Sequence, residues 1–110
     1  MLDMEQAKTE INEIVAVILN SVPALKIYLF GSFADGTAKD DSDYDFYVVV
    51  PDGLQPVETV WKITGALPRK IRGSRPIDML VGTKSKFDKY KTSVSFIERK
   101  VVDTGRLLYG

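Results

Sequence analysis

One stretch, residues 31–45, constrains the fold of this chain more than any other. It reads GSFADGTAKDDSDYD and lies between two short apolar runs, KIYLF at 26–30 and FYVVV at 46–50. Short apolar runs rich in aromatic and β-branched residues predict buried strands. The stretch therefore joins two strands through a small-residue turn and an acidic loop. That order is typical of a site for a phosphate and a divalent cation.

The remaining periodicity predicts helices around a third long strand. Apolar residues three and four apart indicate helices, and short apolar runs indicate strands. The predicted helices cover residues 3–21, 56–67, 84–90 and 93–103, and the predicted strands cover 26–30, 43–50, 77–81 and 107–109. Gly82 is expected to end the third strand. This order predicts an α+β (α/β) fold, a small mixed sheet with helices packed on one side, and does not decide the relative direction of the first two strands.

The chain contains no cysteine and no histidine, which limits the chemistry available to it. Disulfides, thiolate or imidazole metal ligands and serine–histidine hydrolysis are excluded, so catalysis must use carboxylates, hydroxyl groups, lysine, arginine or a bound metal. The 15 basic and 15 acidic residues cancel, which argues against non-specific attraction to nucleic acid or membranes. With no signal peptide or long apolar run, we expect one cytoplasmic domain over residues 1–110.

Three aspartates are the candidates for metal binding and catalysis. Because side chains alternate along a strand, Asp43 and Asp45 share one face, roughly 7 Å apart at the backbone. Asp78 lies in the third predicted strand and joins the pair if that strand lies beside the second. Such carboxylates suit one or two Mg²⁺ ions, with substrate phosphates as further ligands. In a chain without histidine, Asp78 is also the best candidate for a general base.

Gly31 and Ser32 are the candidates for phosphate binding. Glycine permits close approach of the backbone, and Ser32 offers a hydroxyl and an N–H at the start of a helical turn over 33–36. No Gly-Lys-Ser/Thr follows, so this is not a Walker A loop. An acidic loop or a Gly-Ser turn alone is ordinarily only a solvated turn. Their combination with a later strand aspartate favours a site.

The chain resembles the nucleotidyltransferase superfamily that includes polymerase β-like enzymes, and within it the minimal nucleotidyltransferases. Gly31-Ser32, ten residues and Asp43-x-Asp45 match that family's signature, and Asp78 matches its third acidic residue. The resemblance extends over nearly the whole chain, including the leading helix and the GRLLY stretch at 105–109. It implies a nucleotidyltransferase-like fold.

The same resemblance implies an activity and residue roles. The expected reaction transfers a nucleoside monophosphate, usually AMP from Mg·ATP, to an acceptor hydroxyl, and pyrophosphate leaves. Asp43 and Asp45 would hold two Mg²⁺ ions together with Asp78, which would also orient and deprotonate the acceptor. The expected nucleotide-binding residues are Gly31, Ser32 and Ser42.

The acceptor is expected on another molecule. Larger relatives add a helical acceptor-binding domain, which residues 1–110 do not contain. Minimal proteins of this kind often serve as the antitoxin of a HEPN ribonuclease and modify it by adding AMP to a tyrosine, and this is the leading hypothesis. The alternatives are a small-molecule, antibiotic-type nucleotidyltransferase that works as a homo-oligomer and a non-catalytic binding antitoxin. Direct nucleic-acid binding is not expected.

One position departs from the family pattern. Many minimal members have an arginine shortly after Gly-Ser, whereas this chain has Asp35, which would repel a triphosphate unless it points away. A basic stretch just before the strand of Asp78 offers compensating charge, although the alternative is a solvated loop. Its basic residues are Arg69, Lys70, Arg72 and Arg75.

Overall fold

The computed structural model describes residues 2–110. In chain order its elements are α1 (Met4–Ser21), β1 (Lys26–Phe30), α2 (Ser32–Asp35), β2 (Tyr44–Val50), α3 (Pro56–Ala66), α4 (Arg69–Arg72), β3 (Ile77–Thr83), α5 (Lys84–Tyr90), α6 (Ile97–Thr104) and β4 (Arg106–Tyr109). Asp3 caps α1 by accepting a hydrogen bond from the Gln6 N–H at 3.1 Å. Every predicted helix and strand is present in this part of the chain.

The four strands form one mixed sheet in the order β3-β2-β1-β4. β1 pairs antiparallel with both β2 and β4, whereas β2 pairs parallel with β3. Parallel neighbours need a crossover connection, and α3 and α4 lie in the segment that provides it. The predicted mixed sheet is confirmed, and the first two strands are antiparallel.

One face of the sheet, here called the closed face, forms the main core. From β2 it receives Tyr44, Phe46, Val48 and Val50, the set that strand alternation assigns to the core. Helices α1, α3 and α4 cover this face with buried residues that include Ile14, Ile18, Ile63 and Ile71. The closed face therefore excludes water along the whole length of β2.

The opposite face, here called the open face, is covered only in part. A smaller cluster there joins side chains of β1 and β2 to Phe87 of α5 and Val101 of α6. The prediction that helices pack on one side is therefore wrong in this detail. Its physical reason is that β1 and β2 are apolar on both faces, and strands of that kind need cover on both.

Some boundaries also differ from the prediction. β2 begins at Tyr44, so Asp43 lies just before the strand, and α4 forms within the predicted basic loop. Gly82 does not end β3, which continues to Thr83. A Cβ at Gly82 would overlap the Tyr47 hydroxyl, so this position needs glycine for packing. Within residues 2–110, no helix is both long and apolar enough to cross a membrane.

Candidate functional site

The strand register brings two of the predicted carboxylates side by side. Asp45 in β2 is the Cα partner of Asp78 in β3 and of Phe30 at the end of β1. Adjacent strands lie about 4.8 Å apart, and paired residues point to the same face. Asp45 and Asp78 therefore project together from the open face. The condition under which Asp78 joins the pair, that the third strand lies beside the second, is met.

Gly31 lies directly against the carboxylate of Asp45. Its backbone has φ 73° and ψ −155°, a conformation that glycine adopts far more readily than other residues. A Cβ at this position would overlap Oδ2 of Asp45. Backbone conformation and available space thus both require glycine, and the small-residue turn contacts the acidic pair.

Ser32 begins the short helical turn α2. The first hydrogen bonds of this turn run from the N–H groups of Ala34 and Asp35 to the carbonyl of Gly31, at 3.0 and 3.1 Å. The N–H groups of Ser32 and Phe33 precede them and belong to the orphan donors of a helix start. Phe33 is buried in the main core and anchors the turn. Two backbone donors and one hydroxyl therefore follow directly on Gly31, the residue that contacts the Asp45 carboxylate.

Negative charge accumulates at Asp45. Partial burial, followed by the neighbouring Asp78 and Asp43 carboxylates, raises the pKa of Asp45 above its ordinary value. This identifies all three predicted acidic residues as neighbours in one electrostatic environment. Like charges held this close favour a cation or a proton between them.

The carboxylate oxygens of Asp45 and Asp78 suit a hard cation but do not by themselves form a complete metal site. Among residues 2–110, no group of three or more His, Cys, Asp or Glu side chains is arranged to hold a metal ion. Mg²⁺ commonly takes only one or two protein carboxylates and completes its shell with water and substrate phosphates. Asp45 and Asp78 fit that pattern, and the three-aspartate metal site stays a prediction.

The acidic loop between α2 and β2 is held by Arg75. Its Nη1 donates to the carbonyls of Ser42, Asp40 and Lys39, at 2.6, 2.9 and 3.3 Å. The guanidinium carbon lies 5.0 Å from the centroid of the Phe33 ring, which adds a cation–π contact. Arg75 therefore shapes the loop that leads to Asp43.

Ser42, predicted to bind nucleotide, takes part in the same loop. Its hydroxyl oxygen accepts a hydrogen bond from the Lys39 N–H at 2.7 Å, and its N–H donates to the Lys39 carbonyl at 3.1 Å. These bonds close a tight turn just before Asp43. The structure thus gives Ser42 a role in loop conformation, and its contact with nucleotide stays a prediction.

Asp35 is turned toward its own loop. Its Oδ1 accepts from the N–H and the hydroxyl of Thr37, at 3.0 and 2.5 Å. These two hydrogen bonds lower the pKa of Asp35, so it remains ionised. The unusual aspartate after Gly-Ser therefore stabilises the turn that follows α2.

The basic residues of α4 do not reach this site. Ile71, in the middle of α4, is buried in the core of the closed face, so Arg69, Lys70 and Arg72 belong to a helix on the other side of the sheet from Asp45. The cation whose charge acts on both Asp45 and Asp35 is Lys100 of α6. No sequence motif singles out Lys100 among the basic residues of the chain.

Comparison with protein families gives one match over most of the chain. A family model described as polymerase beta, nucleotidyltransferase matches residues 12–110. The sequence matches no curated protein significantly.

The fold is also similar to that of solved structures. A toxin–antitoxin crystallised with AMP-PNP is 25% identical with a TM-score of 0.65, and the match covers 90% of this chain and 72% of that chain. A mutant of the toxin–antitoxin MntA–HpeT is 23% identical with a TM-score of 0.64, and 100% of this chain and 74% of that chain are covered. A protein from Sulfolobus solfataricus, described as a candidate nucleotidyltransferase, is 22% identical with a TM-score of 0.60. That match covers 90% of this chain and 76% of that chain. The last two likenesses, at lower identity, show the fold alone.

Proposed function

The chain belongs to the polymerase beta nucleotidyltransferase family, and from this premise we propose that it transfers AMP from ATP to an acceptor hydroxyl group. The observation that supports this most is the contact of Gly31 with the carboxylate of Asp45, whose strand partner is Asp78. A phosphate-binding turn and a pair of carboxylates meet there on the open face of the sheet.

The proposed reaction uses the two halves of this site in different ways. The N–H groups of Ser32 and Phe33 bind the β- and γ-phosphates. Asp43, Asp45 and Asp78 provide oxygen ligands for Mg²⁺, which when bound offsets the negative charge of the triphosphate.

The chemical step is an in-line displacement. The acceptor oxygen forms a bond to the α-phosphorus, the bond from that phosphorus to the bridging oxygen breaks, and pyrophosphate leaves with the electron pair. Asp78 accepts the proton of the acceptor hydroxyl. It is the exposed member of the strand pair, so an acceptor on another molecule has access to it.

We further propose that the acceptor is a tyrosine of a HEPN-type toxin and that this chain is the corresponding antitoxin. The support is the likeness to the toxin–antitoxin crystallised with AMP-PNP. A small-molecule acceptor and a non-catalytic antitoxin of the same fold are the alternatives. The three carboxylates gathered at one place favour a catalytic protein over a purely binding one.

The test is a transfer assay with α-labelled ATP, Mg²⁺ and the protein encoded next to this chain. We expect label on a tyrosine of that protein and a decrease of at least about a hundredfold for Asp45→Asn. Asp41→Asn, which changes the same charge in the same loop, serves as the matched control and keeps nearly full activity.

Each alternative gives a different result in this assay. Label that is transferred to an aminoglycoside or another small hydroxyl compound, but not to the protein, supports the small-molecule enzyme. A partner that is bound and inhibited equally well by wild type and Asp45→Asn, without label, supports the binding antitoxin and contradicts the proposed activity.

A further inference from the structure

The site shows an excess of negative charge for a ligand that is itself a polyanion. Asp45 and Asp78 project from the open face, Asp43 adjoins them, and Asp35 lies at the end of α2. Arg75 is occupied by three loop carbonyls, and α4 packs on the closed face. Besides Mg²⁺, a side-chain cation for the triphosphate is therefore expected on another element.

Helix α6 is fixed over this part of the sheet at two points. Val101 packs in the same cluster as Phe30, the strand partner of Asp45. Glu98 is buried and accepts a hydrogen bond from the hydroxyl of Tyr47 in β2 at 2.6 Å. The helix is thus held to both central strands, so its exposed side chains have defined directions.

The end of α6 lies where β1 ends. Gly105 donates from its N–H to the Val101 carbonyl at 2.9 Å, and a Cβ on Gly105 would press against the carbonyl of Leu29. Arg106 then pairs with Leu29, two residues before Gly31. The C-terminal end of α6, one helical turn after Lys100, therefore lies near the Gly31–Ser32 turn.

Lys100 lies on the flank of α6 opposite a groove over the start of β1. Val102 lines this groove together with Lys26 and Tyr28. Successive helical residues are about 100° apart, so Lys100, two positions earlier, lies about 200° around the helix from Val102 and points away from that groove. Glu98 and Val101 face the sheet, so Lys100 lies on the exposed flank of α6 opposite that groove.

The electrostatic environment agrees with this direction. Lys100 opposes the rise in the pKa of Asp45 and contributes to the lowering of the pKa of Asp35. Its ammonium group is exposed, and within residues 2–110 it makes no ion pair or hydrogen bond. Its charge acts on both Asp45 and Asp35, and it forms an ion pair with neither.

We propose that Lys100 is a substrate-binding residue that contacts the β- or γ-phosphate of bound ATP from above the Gly31–Ser32 turn. This inference rests on the proposed function, and it names a further residue of that site. An ammonium on a flexible stem suits this position, because it pairs with phosphate as a point charge without a fixed fork geometry. It also explains how a turn that contains Asp35 accepts a polyanion.

The test compares the binding of Mg·ATP and of AMP to wild type, Lys100→Gln and Lys100→Arg by isothermal titration calorimetry. We expect Lys100→Gln to weaken Mg·ATP binding by about tenfold and AMP binding by less than about threefold, because AMP lacks the β- and γ-phosphates. Lys100→Arg keeps binding within about threefold. Lys62→Gln on α3, which makes the same change on the other side of the sheet, is the matched control and leaves both affinities unchanged.

The possible failures are distinguishable. If wild type binds Mg·ATP and Lys100→Gln binds it equally well, the role of Lys100 is overturned and the proposed function stands. If Lys100→Gln weakens ATP and AMP to the same extent, the residue acts on the shape of the site and contact with the β- or γ-phosphate is overturned. If wild type binds no Mg·ATP, the proposed function fails and this inference fails with it. Thermal unfolding of each variant confirms that the exposed substitution leaves the fold intact.

Discussion

Strand β2 presents two different surfaces to the molecule, one through its even-numbered and one through its odd-numbered residues. On the closed face, Phe46, Val48 and Val50 are buried under α1, α3 and α4 within one continuous core. On the open face, Tyr47 and Val49 are buried in a smaller cluster, and Asp45 is left partly exposed beside Asp78. One strand therefore contributes to stability with one set of side chains and to the candidate site with the other.

Each face also contains one buried tyrosine–glutamate pair. Tyr44 donates to Glu10 and Tyr47 donates to Glu98, both at 2.6 Å. Burial, followed by the hydrogen bond to Glu10, raises the pKa of Tyr44 to about 12, and burial also raises the pKa of Tyr47, next to Glu98. Both hydroxyls thus remain protonated donors. The two pairs differ in what they hold, since Glu10 joins α1 to the core and Glu98 fixes the helix that presents Lys100.

The buried side chains of the closed face therefore hold in place the strands that carry the open-face residues. The position of Asp45 is set by neighbours in β2 that are buried on the other side. The open face can then leave carboxylates near water without losing the register that brings Asp45 beside Asp78.

The largest expected effect is a difference in stability loss between alanine substitutions at two adjacent valines of β2. Val48→Ala on the closed face is expected to lower the free energy of unfolding by about 2–4 kcal/mol, because surrounding helices prevent the cavity from collapsing. Val49→Ala on the open face is expected to cost about half as much, because the smaller cluster relaxes more easily. Urea denaturation of both variants measures the difference, and equal costs would contradict the assignment of the main core to the closed face.

A smaller difference is expected between the two tyrosines. Tyr47→Phe removes the one hydrogen bond that residues 2–110 supply to the Glu98 carboxylate. Nζ of Lys86 lies farther away, 3.9 Å from Oε2 of Glu98. Since Glu98 is 1% exposed and Glu10 is 8% exposed, Tyr47→Phe is expected to cost about 2–3 kcal/mol and Tyr44→Phe about 1 kcal/mol. Thermal or urea unfolding checks the order.

Tyr47→Phe is also expected to weaken Mg·ATP binding, because it loosens α6, whereas Tyr44→Phe is not. The opposite order of stabilities would show that water reaches Glu98 more easily than its burial indicates.

The smallest expected effect has the opposite sign and concerns Asp45. Its raised pKa means that the folded protein binds this proton more tightly than the unfolded chain, whose value is near 3.8. Stability contributed by this group is therefore present below that value and is lost as the pH rises through the folded-state pKa. At neutral pH and without metal, Asp45→Asn is expected to stabilise the protein by less than about 1 kcal/mol, because solvent screens the repulsion.

Urea unfolding at pH 4 and pH 7.5, in the presence of a chelator, tests whether Asp45→Asn raises or lowers the free energy of unfolding. The gain from Asp45→Asn is expected at pH 7.5 and is expected to shrink at pH 4. Adding Mg²⁺ and ATP is expected to stabilise wild type and not Asp45→Asn. A variant less stable than wild type at pH 7.5 would show that the Asp45 carboxylate has a structural role that the open face does not reveal.

Much of this arrangement follows from local sequence. Alternation in residues 43–50 correctly separates the core residues Tyr44 and Phe46 from Asp45, because the period of a strand depends only on neighbouring residues. Capping by Asp3 and the helix start at Pro56 are likewise local. The extension of β3 through Gly82 was missed, because the reason for that glycine is the hydroxyl of Tyr47, far away in sequence.

The sequence alone thus determines most of the helices and strands, the core side of β2 and the family signature that includes Asp43, Asp45 and Asp78. Only the tertiary structure decides that β3 pairs with β2, that α5 and α6 cover the second face and that Arg75 holds the acidic loop. The physical reason is the range of the interactions. Strand and helix periods arise within a few residues, whereas these contacts join residues that lie more than 30 positions apart and depend on how finished elements dock.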